Sequence, residues 1–332
     1  MATLSAVRGT AHAIYSNLFV TLPQPKKNTD LSGKIFIVTG ANTGLGYESC
    51  VWLSRLGAEK IIMAVRTESK GLQAKAKLLA ETGRLDTSIE VWHLDMDSYD
   101  SVKRFANRAQ GLERLDGVLA NAGIMTRNWR LSEGIESSLN VNVVSTFLLY
   151  FLLAPKMRAS GKSTGNLCRF VIPNSALHFL APLAELQSTR GTIMERLNDE
   201  TNSVMGTRYN LTKLLVIYAV RELATMSNGS IIINTPNPSW CKSGLAHEMM
   251  AADPGAKHAE ALLARSTEEG SRALVHGLLS GEDTNGQFLS NCQVHSPSCQ
   301  VTGSWGQQIQ KDFFRELVEK LETIQTGIKE NI

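Results

Sequence analysis

Lys34-Ile35-Phe36-Ile37-Val38-Thr39-Gly40-Ala41-Asn42-Thr43-Gly44-Leu45-Gly46 is a short unbroken apolar run that ends in a glycine-rich turn. An unbroken apolar run of this length is what a strand buried on both faces requires. A helical pattern follows, Tyr47 to Leu56. Between strand and helix, Gly40, Gly44 and Gly46 remove the side chains that would keep the backbone away from a pyrophosphate. The helix that follows offers free N–H groups and the positive end of its dipole to an anion. Glycines also serve as plain turns; their place between a buried strand and a helix is what favours dinucleotide binding.

Outward from this turn the same rhythm repeats. Lys60 to Val65, Ile89 to Leu94, Gly117 to Ala120, Leu167 to Ile172 and Ser230 to Asn234 read as further buried strands. Helical patterns fill the gaps at Lys70 to Glu81, Tyr99 to Gly111, Ile135 to Met157 and Tyr209 to Met226. Such alternation predicts an α/β fold, a doubly wound parallel sheet of Rossmann type with helices on both faces. It runs from about residue 34 to 235 with no linker, so one domain is expected over 31–332. Residues 1–30 are read as an N-terminal helix (a weak amphipathic pattern over Leu4 to Leu18) and a turn-rich linker holding Pro23 and Pro25. Residues 237–265 break the rhythm just after a late strand and are read as a substrate flap. Ser271 to Leu279 and Gln308 to Ile324 read as amphipathic helices.

Composition sets bounds only. Of 332 residues 43% are hydrophobic and 20% charged, which excludes disordered and fibrous classes. Lys and Arg number 34 against 31 Asp and Glu, a net +3 that is too mild to argue for nucleic acid or a membrane surface. No apolar stretch approaches the roughly 20 residues of a membrane span. Val143 to Ala154 comes nearest and reads as a buried helix. Arg8, His12 and Asn17 interrupt any signal-peptide pattern, and the first helix is expected to pack on its own domain. The five cysteines are odd in number and lack C-x-x-C spacing, so neither a metal nor a redox pair is expected. Cys50 and Cys168 read as buried, and a reducing, cytoplasmic setting is the simplest reading. The sequons at Asn210 and Asn228 are taken as accidental.

The turn spacing T-G-x-x-x-G-x-G resembles the signature of the short-chain dehydrogenase/reductase family, and the motif resemblance extends over roughly residues 32 to 245. It implies a nicotinamide cofactor against Gly40, Asn42, Thr43, Gly44, Leu45 and Gly46. The second strand should end beside the adenosine ribose, where an acid would select a free 2′-hydroxyl. Arg66 stands there instead, and a guanidinium pairs with a 2′-phosphate, so NADP(H) is favoured over NAD(H). Thr43 lacks the positive charge often found before the second glycine of such NADP sites. By the same resemblance Asp95 meets the adenine amino group with Met96 alongside, although Asp95 also reads as a helix cap. Asn121-Ala122-Gly123 resembles the N-A-G element that lines the cofactor.

Tyr209 and Lys213 lie four residues apart, on one face of a helix. A free phenol has a pKa near 10, and a cation beside it favours the phenolate. With Ser175 after the fifth strand and Asn142 in the long helix, the pair matches the family's catalytic set residue by residue. The resemblance implies that Tyr209 passes a proton to the reacting oxygen and Ser175 polarises it. Lys213 tunes the phenol and binds the nicotinamide ribose, and Asn142 holds a relay water. No metal is expected, since His93, His178 and His247 are isolated.

The sequence departs from the family after the sixth strand. Asn237-Pro238-Ser239-Trp240 carries Ser239 where the family's Pro-Gly has glycine; Pro238 and Ser243 still fit as cofactor contacts. His178, Phe179 and Trp240 are candidate substrate contacts, each equally readable as core. The N-terminal piece and the long flap resemble a fungal, retinol-dehydrogenase-like branch. That implies a carbonyl reductase, or its reverse, acting on a bulky apolar intermediate of secondary metabolism. A non-redox cyclase or isomerase and an NADP-sensing binding protein are the alternatives. A homodimer through the helices Ile135 to Met157 and Tyr209 to Met226 is open, as in many relatives, unless terminal segments cover them.

Overall fold

The computed structural model describes residues 2–227, 229–246, 248 and 254–332. It begins with α1 (Ala2–Phe19) and then enters the sheet at β1 (Ile35–Thr39), which is buried along its whole length. Ile35 and Ile37 join one core layer, whereas Phe36 and Val38 join the other. The two-residue period of a strand thus sends alternate side chains into two apolar layers, which is why no polar residue interrupts the run.

The elements α2 (Gly44–Arg55), β2 (Lys60–Val65), α3 (Glu68–Thr82), β3 (Ile89–His93), α4 (Tyr99–Gln110) and β4 (Gly117–Leu119) follow in turn. A small hairpin, β5 (Leu131–Ser132) and β6 (Ile135–Glu136), precedes α5 (Ser137–Thr164), which contains a π-turn at Asn140–Val144. Next come β7 (Cys168–Val171), α6 (Met205–Met226), β8 (Ile231–Asn237), α7 (Pro254–Leu263), α8 (Thr267–Leu279), β9 (Phe288–Ser290), β10 (Gln293–Val294) and α9 (Ser304–Ile324).

Eight strands form the main sheet in the order β10-β9-β8-β7-β4-β1-β2-β3, parallel except for β10 on β9. Val38 sits opposite Met63 on one side and Leu119 on the other, so the central strands run in register and end together. Leu53, Leu78 and Leu274 of α2, α3 and α8 fill one face; Phe105, Phe147 and Leu214 of α4, α5 and α6 fill the other. The strand order reverses between β1 and β4, which opens a crevice at their carboxyl ends.

The expected strands are present, and the sheet is larger than the pattern indicated. β8 continues past Asn234 through Pro236 to Asn237, and β9 pairs parallel to it. The three-residue run Phe288–Ser290 is too short to register as a strand by periodicity. Among the described residues one helix, α5, has the length and apolarity to cross a bilayer, and 94% of its most apolar window is buried in the protein.

The helices expected to offer a dimer face are covered by the chain itself. Tyr218 Oη donates to the Gln300 carbonyl at 2.7 Å, and Phe313, Phe314, Leu317 and Leu321 of α9 join the core layer of α6. Arg158 of α5 donates to the Asn331 carbonyl at 3.1 Å. α1 packs on its own domain, as expected: a Cβ placed on Gly9 would fall 2.2 Å from the Phe179 ring. Within the region read as a flap, Glu248 Oε2 accepts from Thr126 Oγ1 of the loop after β4 at 2.7 Å. His247, residues 249–253 and Asn228 lie outside the described residues.

Candidate active site

The glycine turn is shaped by backbone demands that only glycine meets. Gly40 and Gly44 are left-handed, with φ of 63° and 59°. A Cβ on Gly46 would fall 2.5 Å from the Gly40 carbonyl oxygen, so the third glycine allows the helix to close on the turn. Asn121 braces this arrangement, its Nδ2 donating to the Thr39 carbonyl at 3.0 Å. Ala122 N donates to Thr39 Oγ1 at 2.8 Å, so the turn is tied to the end of β4. Thr43, the residue before α2, makes no side-chain cap bond, and the first N–H groups of the helix therefore face the crevice uncapped. Asn42 and Leu45 are half-buried on the same turn.

Arg66 leaves the end of β2 exposed, and its guanidinium has no hydrogen-bond or ion-pair partner among the described residues. Asp95 does not cap the following helix, whose N-cap is Ser98; its Oδ1 accepts from Asp97 N at 3.0 Å in the turn before it. Met96 is buried in the core layer and has only its backbone to offer a ligand. Gly123 lies against Asn142, whose Oδ1 would be 3.1 Å from a Cβ there.

The residues expected to handle the proton converge from three elements. Tyr209 and Lys213 are both buried on α6, with Lys213 Nζ 5.3 Å from the Tyr209 ring centroid. Lys213 Nζ donates to the Pro173 carbonyl at 2.7 Å, and Asn174 Nδ2 donates to the Lys213 carbonyl at 3.1 Å. These two bonds pin the chain after β7 onto the turn of α6 that carries the lysine, and Ser175 is the next residue. Asn174 thus braces the segment where serine is common in the family. Ser175 Oγ accepts from Leu177 N at 3.1 Å, which leaves its own proton free to donate.

The Asn142 side chain is fully engaged with its neighbours. Its side chain accepts from Ile124 N and donates to Ile124 O, both at 2.9 Å, and also donates to Thr212 Oγ1 at 3.2 Å. The carboxamide is therefore occupied as a brace. A π-turn runs through this residue, over Asn140–Val144, with Ser145 N donating to the Asn140 carbonyl.

Burial pushes the Tyr209 phenol up from its ordinary value and pulls Lys213 down to about 8. In the protein alone, loss of water outweighs the help each group's charged form would draw from the other.

His178 is not a substrate contact. It is fully buried; its Nδ1 donates to the Ser175 carbonyl at 2.8 Å and its Nε2 accepts from Ser298 N at 3.2 Å. Phe179 is buried against α1 at Gly9, and it lines a cavity of about 380 Å³ with Arg8, His12 and His295. Of the three candidate contacts only Trp240 is substantially open, at 37% exposure. Ser239 adopts φ of 65°, the left-handed conformation for which glycine is the usual residue. Ser243 lies beside the glycine turn, its Cβ 4.0 Å from a Cβ built on Gly44. Among the described residues no cluster of His, Cys, Asp or Glu could hold a metal.

Sequence reasoning missed several supporting residues. Thr212 and Arg208 are not singled out by it, yet Arg208, next to Tyr209, is 1% exposed and pairs with Glu185 at 3.0 Å and Glu136 at 3.6 Å. Arg208 and Glu136 lie far apart in sequence, and no local signal links them.

Comparisons with known proteins agree with this geometry. Residues 34–169 match a family model described as short chain dehydrogenase. The chain is 40% identical to the short chain dehydrogenase/reductase dmxR8 of Cryptosporiopsis sp., over 96% of this chain and 99% of that one. It is 38% identical to the short chain dehydrogenase atnD of Emericella nidulans, over 83% and 88%. A short-chain type dehydrogenase/reductase from Mycobacterium marinum superposes with a TM-score of 0.60 at 18% identity, covering 79% of this chain and 95% of that one. A protein from Escherichia coli CFT073 complexed with NADPH gives 0.58 at 23% identity, covering 80% and 99%.

Proposed function

The chain belongs to the short-chain dehydrogenase/reductase family, and on that premise we propose that it reduces a ketone or aldehyde on a bulky, largely apolar small molecule with NADPH, or runs the reverse oxidation. The observation that carries this reading is the Lys213–Pro173 bond, which holds the helix of Tyr209 and Lys213 against the strand end of Ser175.

The residues fit a dinucleotide. A Cβ built on Gly44 meets nothing nearer than 4.0 Å, so the left-handed glycine opens onto free space in front of the uncapped α2 terminus. Anionic phosphates suit that terminus. The unpartnered Arg66 suits a 2′-phosphate, and the free Oδ2 of Asp95 suits an amino group.

When bound, a nicotinamide dinucleotide supplies or accepts a hydride. The chain's own groups handle the proton. Tyr209, held protonated by burial, gives its proton to the carbonyl oxygen while Ser175 Oγ donates a second hydrogen bond to that oxygen. Lys213, fixed by Pro173 against the ring, stabilises the phenolate left behind. Asn142 holds the Ile124 backbone and, through Thr212, the Tyr209 turn; Thr212 Oγ1 donates to the Tyr209 carbonyl at 2.8 Å.

Trp240, Leu245, Leu262 and Leu263 expose apolar surface along the flap, which supports an apolar substrate. The secondary-metabolite assignment rests on the resemblance of the N-terminal piece and flap. A cytoplasmic setting fits the five unbridged thiols.

The test uses purified protein, C4-deuterated NADPH and extracts of a strain lacking the protein. Deuterium is expected in a reduced product. Tyr209→Phe should cut turnover by roughly 10²–10⁴-fold while NADPH binding and the melting temperature persist. Unchanged product formation by Tyr209→Phe without NADPH consumption would instead establish the non-redox reading.

A further inference from the structure

We infer that Asn17, on the N-terminal helix, is a positioning residue for the 238–243 loop beside the cofactor site. The inference rests on the dinucleotide reading above. The loop starts next to Ser175, where Asn174 N donates to the Pro236 carbonyl at 2.8 Å, and it ends at Ser243 beside Gly44. It therefore flanks the crevice from the reacting end to the phosphate end.

Within it Ser239 holds a left-handed φ of 65° without being glycine. Asn237 Oδ1 accepts from Ser239 N at 3.0 Å within the loop, and Asn17 adds a tether from outside it that uses every polar atom of its carboxamide. Oδ1 accepts from Ser239 Oγ and from Trp240 N at 3.2 Å. Nδ2 donates to the Trp240 carbonyl at 2.8 Å and to the Leu263 carbonyl at 3.0 Å. An aspartate there would turn an oxygen toward two carbonyls, so the amide is specified.

Arg265 locks the same junction from beneath. It is 5% exposed and donates to the Ser16 and Val20 carbonyls at the end of α1 and to the Pro238 carbonyl at 3.4 Å. Its backbone brackets the loop, Arg265 N donating to Trp240 O and Lys242 N to Arg265 O, both at 2.9 Å. A cation at a helix carboxyl terminus is favourable on its own account. The helix before the sheet is thus built into the cofactor side of the site, and it replaces with a distant side chain what a glycine would supply locally.

The test compares wild type, Asn17→Ala, Ser239→Gly and the double variant by NADPH fluorescence titration and by amide hydrogen exchange over 238–243 without nucleotide. Asn17→Ala is expected to weaken NADPH binding roughly 10-fold, the equilibrium equivalent of releasing one left-handed residue, and to speed exchange in the loop. The double variant should recover to within about threefold of wild type, because glycine needs no clamp. Unchanged exchange in Asn17→Ala, or a double variant as impaired as Asn17→Ala, overturns the inference. A wild-type chain that binds no NADPH overturns the cofactor reading, and the exchange data then decide the clamp by themselves.

Discussion

His178 Nδ1 donates to the backbone carbonyl of Ser175 at 2.8 Å, so a fully buried imidazole braces the chain at Ser175 from behind. Ser298 N can only donate, so Nε2 is the acceptor and the ring is neutral. Burial lowers its pKa from 6.5 to about 4. The unfolded chain therefore binds more protons between those values, and the contribution to stability is complete above about 6.5 and lost as pH falls toward 4. Urea unfolding should show wild type losing its advantage over His178→Asn by about 2 kcal/mol between pH 7.5 and 5. An advantage that stays constant with pH contradicts a neutral buried ring.

Arg66 decides between the two dinucleotides if its free guanidinium meets a 2′-phosphate. Arg66→Ala should weaken NADPH binding about 10- to 100-fold, the worth of a charge-assisted hydrogen bond, and leave NADH binding within about threefold. Equal losses for both nucleotides would assign Arg66 a merely structural part.

Arg208 sits in a buried triad with Glu136 and Glu185, with side-chain exposures of 1%, 0% and 6%. Glu136 also accepts from Ser138 N at 2.7 Å and Leu139 N at 3.0 Å at the start of α5. Arg208→Met leaves two carboxylates without their cation and should cost about 3–5 kcal/mol in calorimetry or denaturant unfolding. A loss below about 1 kcal/mol would show that solvent reaches the triad.

Gly46→Ala places a methyl group 2.5 Å from the Gly40 carbonyl oxygen and 2.6 Å from Asn121 Nδ2. Neither neighbour can yield without opening the turn. Titration should show NADPH affinity falling roughly 10²-fold, as expected when a binding loop shifts by about an ångström, while circular dichroism of the folded chain is kept. Retained affinity would mean that the turn relaxes without moving its ligand-facing amides.

The parts legible in the sequence are those with local causes. The apolar run Ile35 to Val38 and the glycines after it demand their conformations from residues within a few positions. The Tyr209–Lys213 spacing is likewise a property of one helix. Ser239 could be seen as a departure because its neighbours marked the position. Asn237, which accepts from Ser239 N, lies two residues before it, but the tether from outside the loop could not be seen, since Asn17 lies 222 residues away. His178 read equally as a substrate contact or as core, and the structure places it in the core as a brace behind Ser175.

By itself, then, the sequence determined the alternation of strand and helix, the reversal of the sheet about the glycine turn, and the residue types at the site. Those follow from backbone sterics and side-chain periodicity, which act over short stretches. Only the tertiary structure decided which polar groups complete one another. Asn142 is spent on Ile124, Lys213 on Pro173, and Asn17 on Ser239 and Trp240. Each of these pairings exists because a donor or acceptor turned from solvent, fully for Asn142 and Lys213 and partly for Asn17, finds a partner wherever packing brings one, and distance along the chain carries no record of that.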